Sequence, residues 1–452
     1  MVAAASAPQK SCSQGVTQGH PMRRGGRSYH FLTRSRLKQS PARLALNFGA
    51  MSFRFLTAGE SHGPALTALI EGMPSGVPIL AEQINFHLAR RQSGYGRGGR
   101  MKIETDRAEI SAGIRHGFTM GSPIALTVIN SDFESWGDVM KAEIVPEYEK
   151  NSVKTRPIEV PRPGHVDYAG LVKYRPGGGD MRNILERASA RETTMRVAAG
   201  SVARRLLEEC GIFIGSHVTE IGGIEADPFE IPHARDLNER ADASPVRCLD
   251  EMAAQNMILE IDAAREAKDT VGGVFEVVAD GLPVGLGSHV HWDRKLDGRL
   301  AGALMSIHAM KGVEIGLGFE AARRRGSGVH DPFSHGKGAL PVSRTRNNAG
   351  GLEGGVSNGE PLVCRVAMKP ISTLMKALPS VNTSNGEATA AHVERSDYCA
   401  VPAAGVVGEA MVALVLCEAL LEKFGGDSLE EILESVARHR AYTQNIAEKW
   451  NR

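Results

Sequence analysis

Paired cysteines are missing from this sequence. Its six, Cys12, Cys210, Cys248, Cys364, Cys399 and Cys417, are scattered over 452 residues without one CxxC, so neither a zinc site nor a disulfide framework is indicated. Free, partly buried thiols suit a reducing compartment, and a cytoplasmic protein is expected. Histidine is plentiful, yet only Ser288-His289-Val290-His291 brings two close, with no third and fourth ligand nearby, so no metal is expected. No apolar run is read as approaching a membrane span. No GxGxxG opens a strand–helix–strand unit, so a dinucleotide-binding domain is not expected. Acidic residues are absent from the first fifty positions, which carry eight Lys or Arg.

That last absence divides the chain. Setting the eight aside leaves 45 basic against 52 acidic residues, a body of net charge −7 beneath an overall +1. A basic cluster within an acidic body marks a local site and not a general polyanion surface. Residues 1–50, rich in Ser, Gly, Ala and Arg and without apolar periodicity, are expected to be disordered. An Arg-rich, acid-free segment fits an organellar transit peptide, and the lack of an apolar h-region argues against a secretory signal. The favoured reading is an upstream start, with translation beginning at Met51. From there to Arg452 no repeat or linker intervenes, 42% of the whole chain is apolar, and one large domain is expected.

Chemistry concentrates in Arg162–Ala203. Ser189-Ala190-Arg191-Glu192 reads as a capping box, which starts a helix at Ser189. Met195, Ala199, Val202 and Leu206 recur at helical spacing, Glu192 and Arg196 lie one turn apart, and Gly211 supplies a stop. A helix N-terminus flanked by Arg187 and Arg191 suits a phosphate. His165 follows Arg162-Pro163-Gly164 upstream. In isolation His165 reads first as a loop histidine and the arginines as a solvated helix face.

Other stretches carry similar cues. The strand Phe53–Thr57 runs into Gly59-Glu60-Ser61-His62-Gly63, where glycines permit close backbone approach. Arg90–Lys102 holds five cations, four glycines and no acid, suited to a small polyanion that needs several guanidinium forks. One tyrosine, Tyr95, beside an acidic body makes a poor nucleic-acid surface. Strands are expected at Ile124–Ile129, within Ile212–Ile224, at Gly272–Ala279 and at Pro361–Met368. Helices are expected ending near Arg91, over Met252–Lys268, with apolar period through Lys295–Lys311, over Glu409–Lys423, and from a cap at Ser428. Pro228–Asp250 reads as irregular. Arg344–Gly359 packs five glycines into a polar loop, as a flat ligand would need. Lys369-Pro370-Ile371-Ser372-Thr373 offers an ammonium and hydroxyls at a strand end.

These residues resemble the chorismate synthase family: RPGHVD at 162–167, Lys173-Tyr174, SARET at 189–193, RVAAGSVA at 196–203, GESHG at 59–63, the glycine–arginine loop, GVEIG at 312–316, and Arg395-Ser396-Asp397 before CAVPAAGVVGEAM at 399–411. Departures are Val166 for alanine, a short insertion at Pro176–Gly179, Tyr398, and His308 where asparagine is common. The resemblance implies an α+β (mixed α/β) fold, a β-α-β sandwich, assembled as a homotetramer. It implies a lyase that makes chorismate from 5-enolpyruvylshikimate-3-phosphate by anti-1,4-elimination of phosphate, with reduced FMN as a transient electron donor and no net redox change. An external flavin reductase is the expected source of reduced flavin, with NADPH a possible reductant. By the same resemblance FMN contacts Arg187, Ala188, Ser189, His308, Ala309, Gly354, Lys369, Pro370, Ile371, Ser372, Thr373 and Arg395. Arg91, Arg97 and Arg100 hold the substrate or NADPH. His62 protonates the leaving phosphate, His165 sits near flavin N1, and Asp397 handles the proton at N5. No nucleic-acid or membrane partner is expected. A flavin oxidoreductase with net hydride transfer is the alternative, and an RNA-binding protein the third reading.

Overall fold

A sheet with one apolar face must bury it, and two antiparallel sheets here bury theirs against helices. The structure is a computed structural model of the chain, describing residues 53–98, 105–144, 156–228, 232–335, 342–393 and 396–448. The first sheet contains β1 (Arg54–Ala58), β2 (Ala65–Glu71), β3 (Ala108–Ala112) and β4 (Ile124–Ile129), ordered β1-β2-β4-β3. Leu66, Ala68 and Ile70 of β2 are buried, as are Ile124, Leu126 and Val128 of β4, while Leu69 and Ile129 are exposed. Alternation puts one set on each face, and the register, Leu66 opposite Val128 and Ile70 opposite Ile124, brings the apolar sets together.

The second sheet contains β5 (Phe213–Ile221), β6 (Ile224–Glu225), β7 (Gly273–Asp280), β8 (Met310–Ile315) and β9 (Leu362–Met368), ordered β8-β9-β7-β5-β6. Its inner face presents Phe275, Val277, Cys364 and Val366, all fully buried. The longer helices are α1 (Ala81–Gln92), α2 (Asp167–Tyr174), α3 (Thr193–Glu209), α4 (Ala234–Asp242), α5 (Glu251–Glu266), α6 (Leu296–Met305), α7 (Val401–Phe424) and α8 (Leu429–Glu448). Helix α3 packs on β2 and on α7, and α7 packs on β5 and β7. Because α3 is covered from two sides, Val197, Ala198 and Ala203 are buried as well as the expected Met195, Ala199, Val202 and Leu206. The crossing is close: a Cβ on Gly200 would lie 2.5 Å from the Ala410 Cβ.

Several expectations need correction. Helix α7 begins at Val401, eight residues before the expected Glu409, with Pro402 in its first turn, where a missing N–H costs nothing. By length and composition this helix is apolar enough to cross a membrane, so the reading that no run approaches a span does not hold. It lies almost wholly inside the fold instead, with Glu409 bonded to Arg90 (2.8 Å), Arg204 (2.7 Å) and Ser216 Oγ (2.6 Å). Pro228–Asp250 is not irregular throughout, since α4 lays Ala234 and Leu237 on Val278. The helical period through Lys311 ends at Met305, because the backbone turns at Ala309 (φ 68°) and continues as β8. At the other end of the chain Ser428 and Glu431 form the expected reciprocal cap: the Glu431 N–H donates to Ser428 Oγ (3.3 Å) and the Ser428 N–H to Glu431 Oε2 (3.1 Å).

Candidate functional site

Four chain segments meet where β1, α6 and β9 end and α3 begins. The turn after β1 depends on Gly59, at φ 105°, where a Cβ would lie 2.4 Å from the Ala65 carbonyl. Only glycine fits there. Arg187 pins this turn, donating through Nη2 to Thr57 O (2.8 Å) and through Nη1 to Gly59 O (3.0 Å). Thr57 Oγ1 in turn donates to Glu192 Oε1 at 2.7 Å. So held, His62 places Nδ1 2.9 Å from Glu186 Oε2, and its ring lies 4.2 Å from that of Trp136.

The helix start departs from the sequence reading. Ser189 caps a 3-10 turn, Ala190–Glu192, that leads into α3, accepting from the Arg191 N–H. Glu192 does not reach back to close the box; its carboxylate takes Thr57 and Arg196 (2.9 Å). Arg191 does not face a phosphate: it is buried, donating to Asp106 Oδ1 (2.6 Å) and Asn130 Oδ1 (3.0 Å). Ala188 lies on the turn above, its N–H donating to Ile184 O.

His165 is built from its own motif. Its Nδ1 lies 2.5 Å from Asp167 Oδ1, and Arg162 donates through Nε to Asp167 Oδ2 (2.9 Å). Burial alone would push the fully buried Asp167 carboxyl up, but its bonds to His165 and Arg162 outweigh that and hold it well below the usual range. The same Arg162 reaches Thr373 Oγ1 (3.2 Å), and Lys369 Nζ donates to Gly164 O (2.8 Å). The Ser372 Cβ packs against Gly164, and Ile371 O accepts from Thr270. The end of β9 through Pro370 is therefore laid against the histidine loop.

His308 and Ala309 complete this side. The Lys369 N–H donates to Ala309 O (3.0 Å), and Arg196 reaches Ser306 Oγ (2.8 Å). Ala309 holds a left-handed conformation that a non-glycine residue rarely takes without cause. Burial lowers the His308 pKa, Glu192 raises it less, and Arg196, His165 and Arg187 lower it again, which favours the neutral ring. Its buried Nδ1 has no hydrogen-bond partner among the described residues. An orphaned ring nitrogen just before the Ala309 turn, in the field of Arg196, His165 and Arg187, is what a bound heterocycle would satisfy.

The glycine–arginine loop meets the segment before α7. Asp397 accepts from the Gly98 N–H (2.6 Å) and pairs with Arg97 (3.2 Å), and the Tyr398 N–H donates to Gly96 O. Arg91 is buried and committed to Thr193 Oγ1 (3.0 Å) and Ala190 O (2.9 Å), which ties the loop to the start of α3. Burial and neighbouring Arg97 and Arg191 outweigh Asp106 and lower its pKa to about 10. Gly354 is placed elsewhere: its hairpin, Leu352–Glu353 with Val356–Ser357, accepts from the Leu296 N–H through Gly355 O. That is the far end of α6, roughly 15 Å from His308 along the helix. Arg100 and Arg395 lie outside the described residues.

Sequence reasoning missed the carboxylates and the ring behind the histidines. Asp167 was discoverable, two residues from His165 and five from Arg162. Glu186 and Trp136 were not, being 124 and 74 positions from His62.

Two histidine–carboxylate pairs beside guanidinium and ammonium groups are the kind of equipment an enzyme uses to move protons. The family model for chorismate synthase matches residues 53–421. "Chorismate synthase 1" of Bacillus thuringiensis (strain Al Hakam) is 54% identical over 397 residues, 87% of this chain and 100% of that protein. "Chorismate synthase" of Shouchella clausii (strain KSM-K16) is 54% identical over 393 residues, with the same coverage. A solved structure described as "Crystal Structure of Chorismate Synthase" superposes with a TM-score of 0.70 at 42% identity, covering 88% of this chain and 100% of that one. The chain belongs to the chorismate synthase family.

Proposed function

We propose that this lyase converts 5-enolpyruvylshikimate-3-phosphate to chorismate. The observation that carries the reading is the convergence of His62–Glu186, His165–Asp167 and Lys369–Thr373 around the start of α3. In the reaction the C3–O bond breaks with its pair going to phosphate, C6 loses a proton, and the ring double bond shifts, so nothing is oxidised overall. His62 supplies a proton to the departing phosphate oxygen. His165, fixed by Asp167, holds a proton at its free ring nitrogen, and Asp397, steadied by Arg97 and the Gly98 N–H, receives one. Arg97 and Arg100 bind the substrate anions, and Arg91 holds the wall from behind.

The residues fit reduced FMN: the orphaned His308 Nδ1 and the Ala309 turn adjoin the start of the Lys369–Thr373 segment, whose Lys369 N–H bonds Ala309 O, and Arg187, Ala188, Ser189, Lys369, Pro370, Ile371, Ser372, Thr373 and Arg395 would hold the flavin with them. Gly354 would join from its hairpin only across a subunit boundary, which favours the homotetramer. When bound, reduced flavin supplies an electron transiently and recovers it. An external reductase, or NADPH, keeps it reduced. A cytoplasmic site, a single catalytic domain over residues 51–452 and the β-α-β sandwich complete the reading; the packing of α3 and α7 between β2 and β7 supports the last. Anaerobic incubation of substrate with dithionite-reduced FMN should release chorismate and phosphate in equal amounts with the flavin still reduced. Stoichiometric flavin oxidation would make the protein an oxidoreductase instead.

A further inference from the structure

Glu186 turns its carboxylate on His62. It sits one residue past the short helix Arg182–Leu185, fully buried, where a carboxylate is costly unless bonded. Its side chain receives four contacts, three from His62 and one from Arg182: the His62 backbone N–H on Oε2 (3.0 Å), His62 Nδ1 on Oε2 (2.9 Å) and Oε1 (3.1 Å), and Arg182 Nη1 on Oε1 at 3.4 Å. Its own carbonyl accepts from the Ser61 N–H (3.0 Å), so two consecutive residues of the turn hang on Glu186. Trp136 backs the ring at 4.2 Å, with Arg182 over the indole at 5.3 Å. The charged groups facing this dyad are thus Arg182 on the carboxylate's second oxygen and, through the turn backbone, Arg187.

We propose that Glu186 is the positioning residue for His62: it fixes the imidazole as the Nδ1–H tautomer and leaves Nε2 as the only atom that exchanges a proton with the substrate. This rests on the chorismate synthase reading above. An ionised carboxylate only accepts, so a neutral ring bonded to it must carry its proton on Nδ1. Bonds from His62 offset the burial that would otherwise neutralise Glu186, which keeps it an acceptor. The protonated ring then gives its Nε2 proton to the phosphate oxygen and is left in the tautomer it already held, with no ring flip before the next proton arrives. Carboxylates orient catalytic imidazoles in this way elsewhere.

The test compares Glu186→Gln and Glu186→Asp with the parent, all reconstituted with reduced FMN. In Glu186→Gln, kcat should fall by at least tenfold with KM and FMN affinity within about threefold of the parent. Glu186→Asp, which keeps the charge, should recover part of that loss. In 15N spectra of histidine-labelled protein, with His62 assigned by its loss in His62→Gln, the Nδ1–H tautomer should dominate in the parent and give way to Nε2–H in Glu186→Gln. An unchanged tautomer, a parallel loss of FMN affinity, or Glu186→Asp no better than Glu186→Gln would overturn the proposal. If Glu186→Gln does not fold, the tautomer of the parent and of Glu186→Asp decides alone: Nε2–H in both sinks it. The spectra need no turnover, so a parent that makes no chorismate refutes the function and leaves the positioning role to be read independently.

Discussion

At the residue scale, the site is a set of side chains that hold one another as much as they face a ligand. Arg97 illustrates the consequence. Its pair with Asp397 means that Arg97→Ala removes a guanidinium from the proposed substrate wall and also loosens the carboxylate, so steady-state assays should show KM rising by about thirtyfold, near 2 kcal/mol, together with a lower kcat. A rise in KM alone would show that Asp397 does not depend on it. His308 makes the opposite case. A neutral imidazole, which burial favours here, offers a donor and an acceptor, as an amide does, so His308→Asn should keep FMN affinity within about threefold, whereas His308→Leu should weaken it about tenfold, one hydrogen bond's worth. Fluorescence titration with FMN checks both.

At the scale of elements, α7 brings a carboxylate into the core and the structure must answer it. Glu409 is fully buried, and burial would raise its pKa, but Arg90, Arg204 and Arg247 hold it far below the usual range. Glu409→Gln leaves three buried guanidiniums short of their counter-ion and should cost about 3–5 kcal/mol, read as a lowered urea midpoint. The exposed Arg54–Glu71 pair between the edge strand β1 and β2 is the control: Glu71→Gln should change stability by less than about 1 kcal/mol. The α3–α7 crossing is equally constrained. Gly200→Val should destabilise by roughly 1–3 kcal/mol by pushing the helices apart at Ala410.

For the whole molecule, buried carboxylates set the response to acid. Asp167, Glu186, Glu276 and Glu409 all have folded pKa values below their ordinary ones. Depressed carboxylates contribute stability that is present in full above their unfolded values, about 4, and is lost as pH falls toward the folded ones. Unfolding midpoints should therefore be level from pH 7 to about 5 and fall steeply below 4. A flat profile to pH 3 would mean that these pairs do not hold the fold. Deletion of residues 1–50 should leave the midpoint and turnover unchanged, because the family match starts at residue 53 and 397 residues align with whole relatives.

The sequence by itself determined what short-range order can encode. Alternation gave β2 and β4 their inner faces, Ser428 and Gly211 marked helix ends, and RPGHVD carried His165, its carboxylate and its arginine within six residues. Motif identity was enough for the family, because those residue types at those spacings are rarely met by chance. Tertiary structure decided whatever depends on groups far apart in the chain. It showed that Arg191 answers Asp106 and Asn130, that α7 is a core helix with a countered charge, and that the Gly354 hairpin stands at the start of α6 while His308 follows its end. It also gave His62 a carboxylate from 124 residues away. A hydrogen bond has no sequence period, so only the packing of β1 against the approach to α3 could reveal that one.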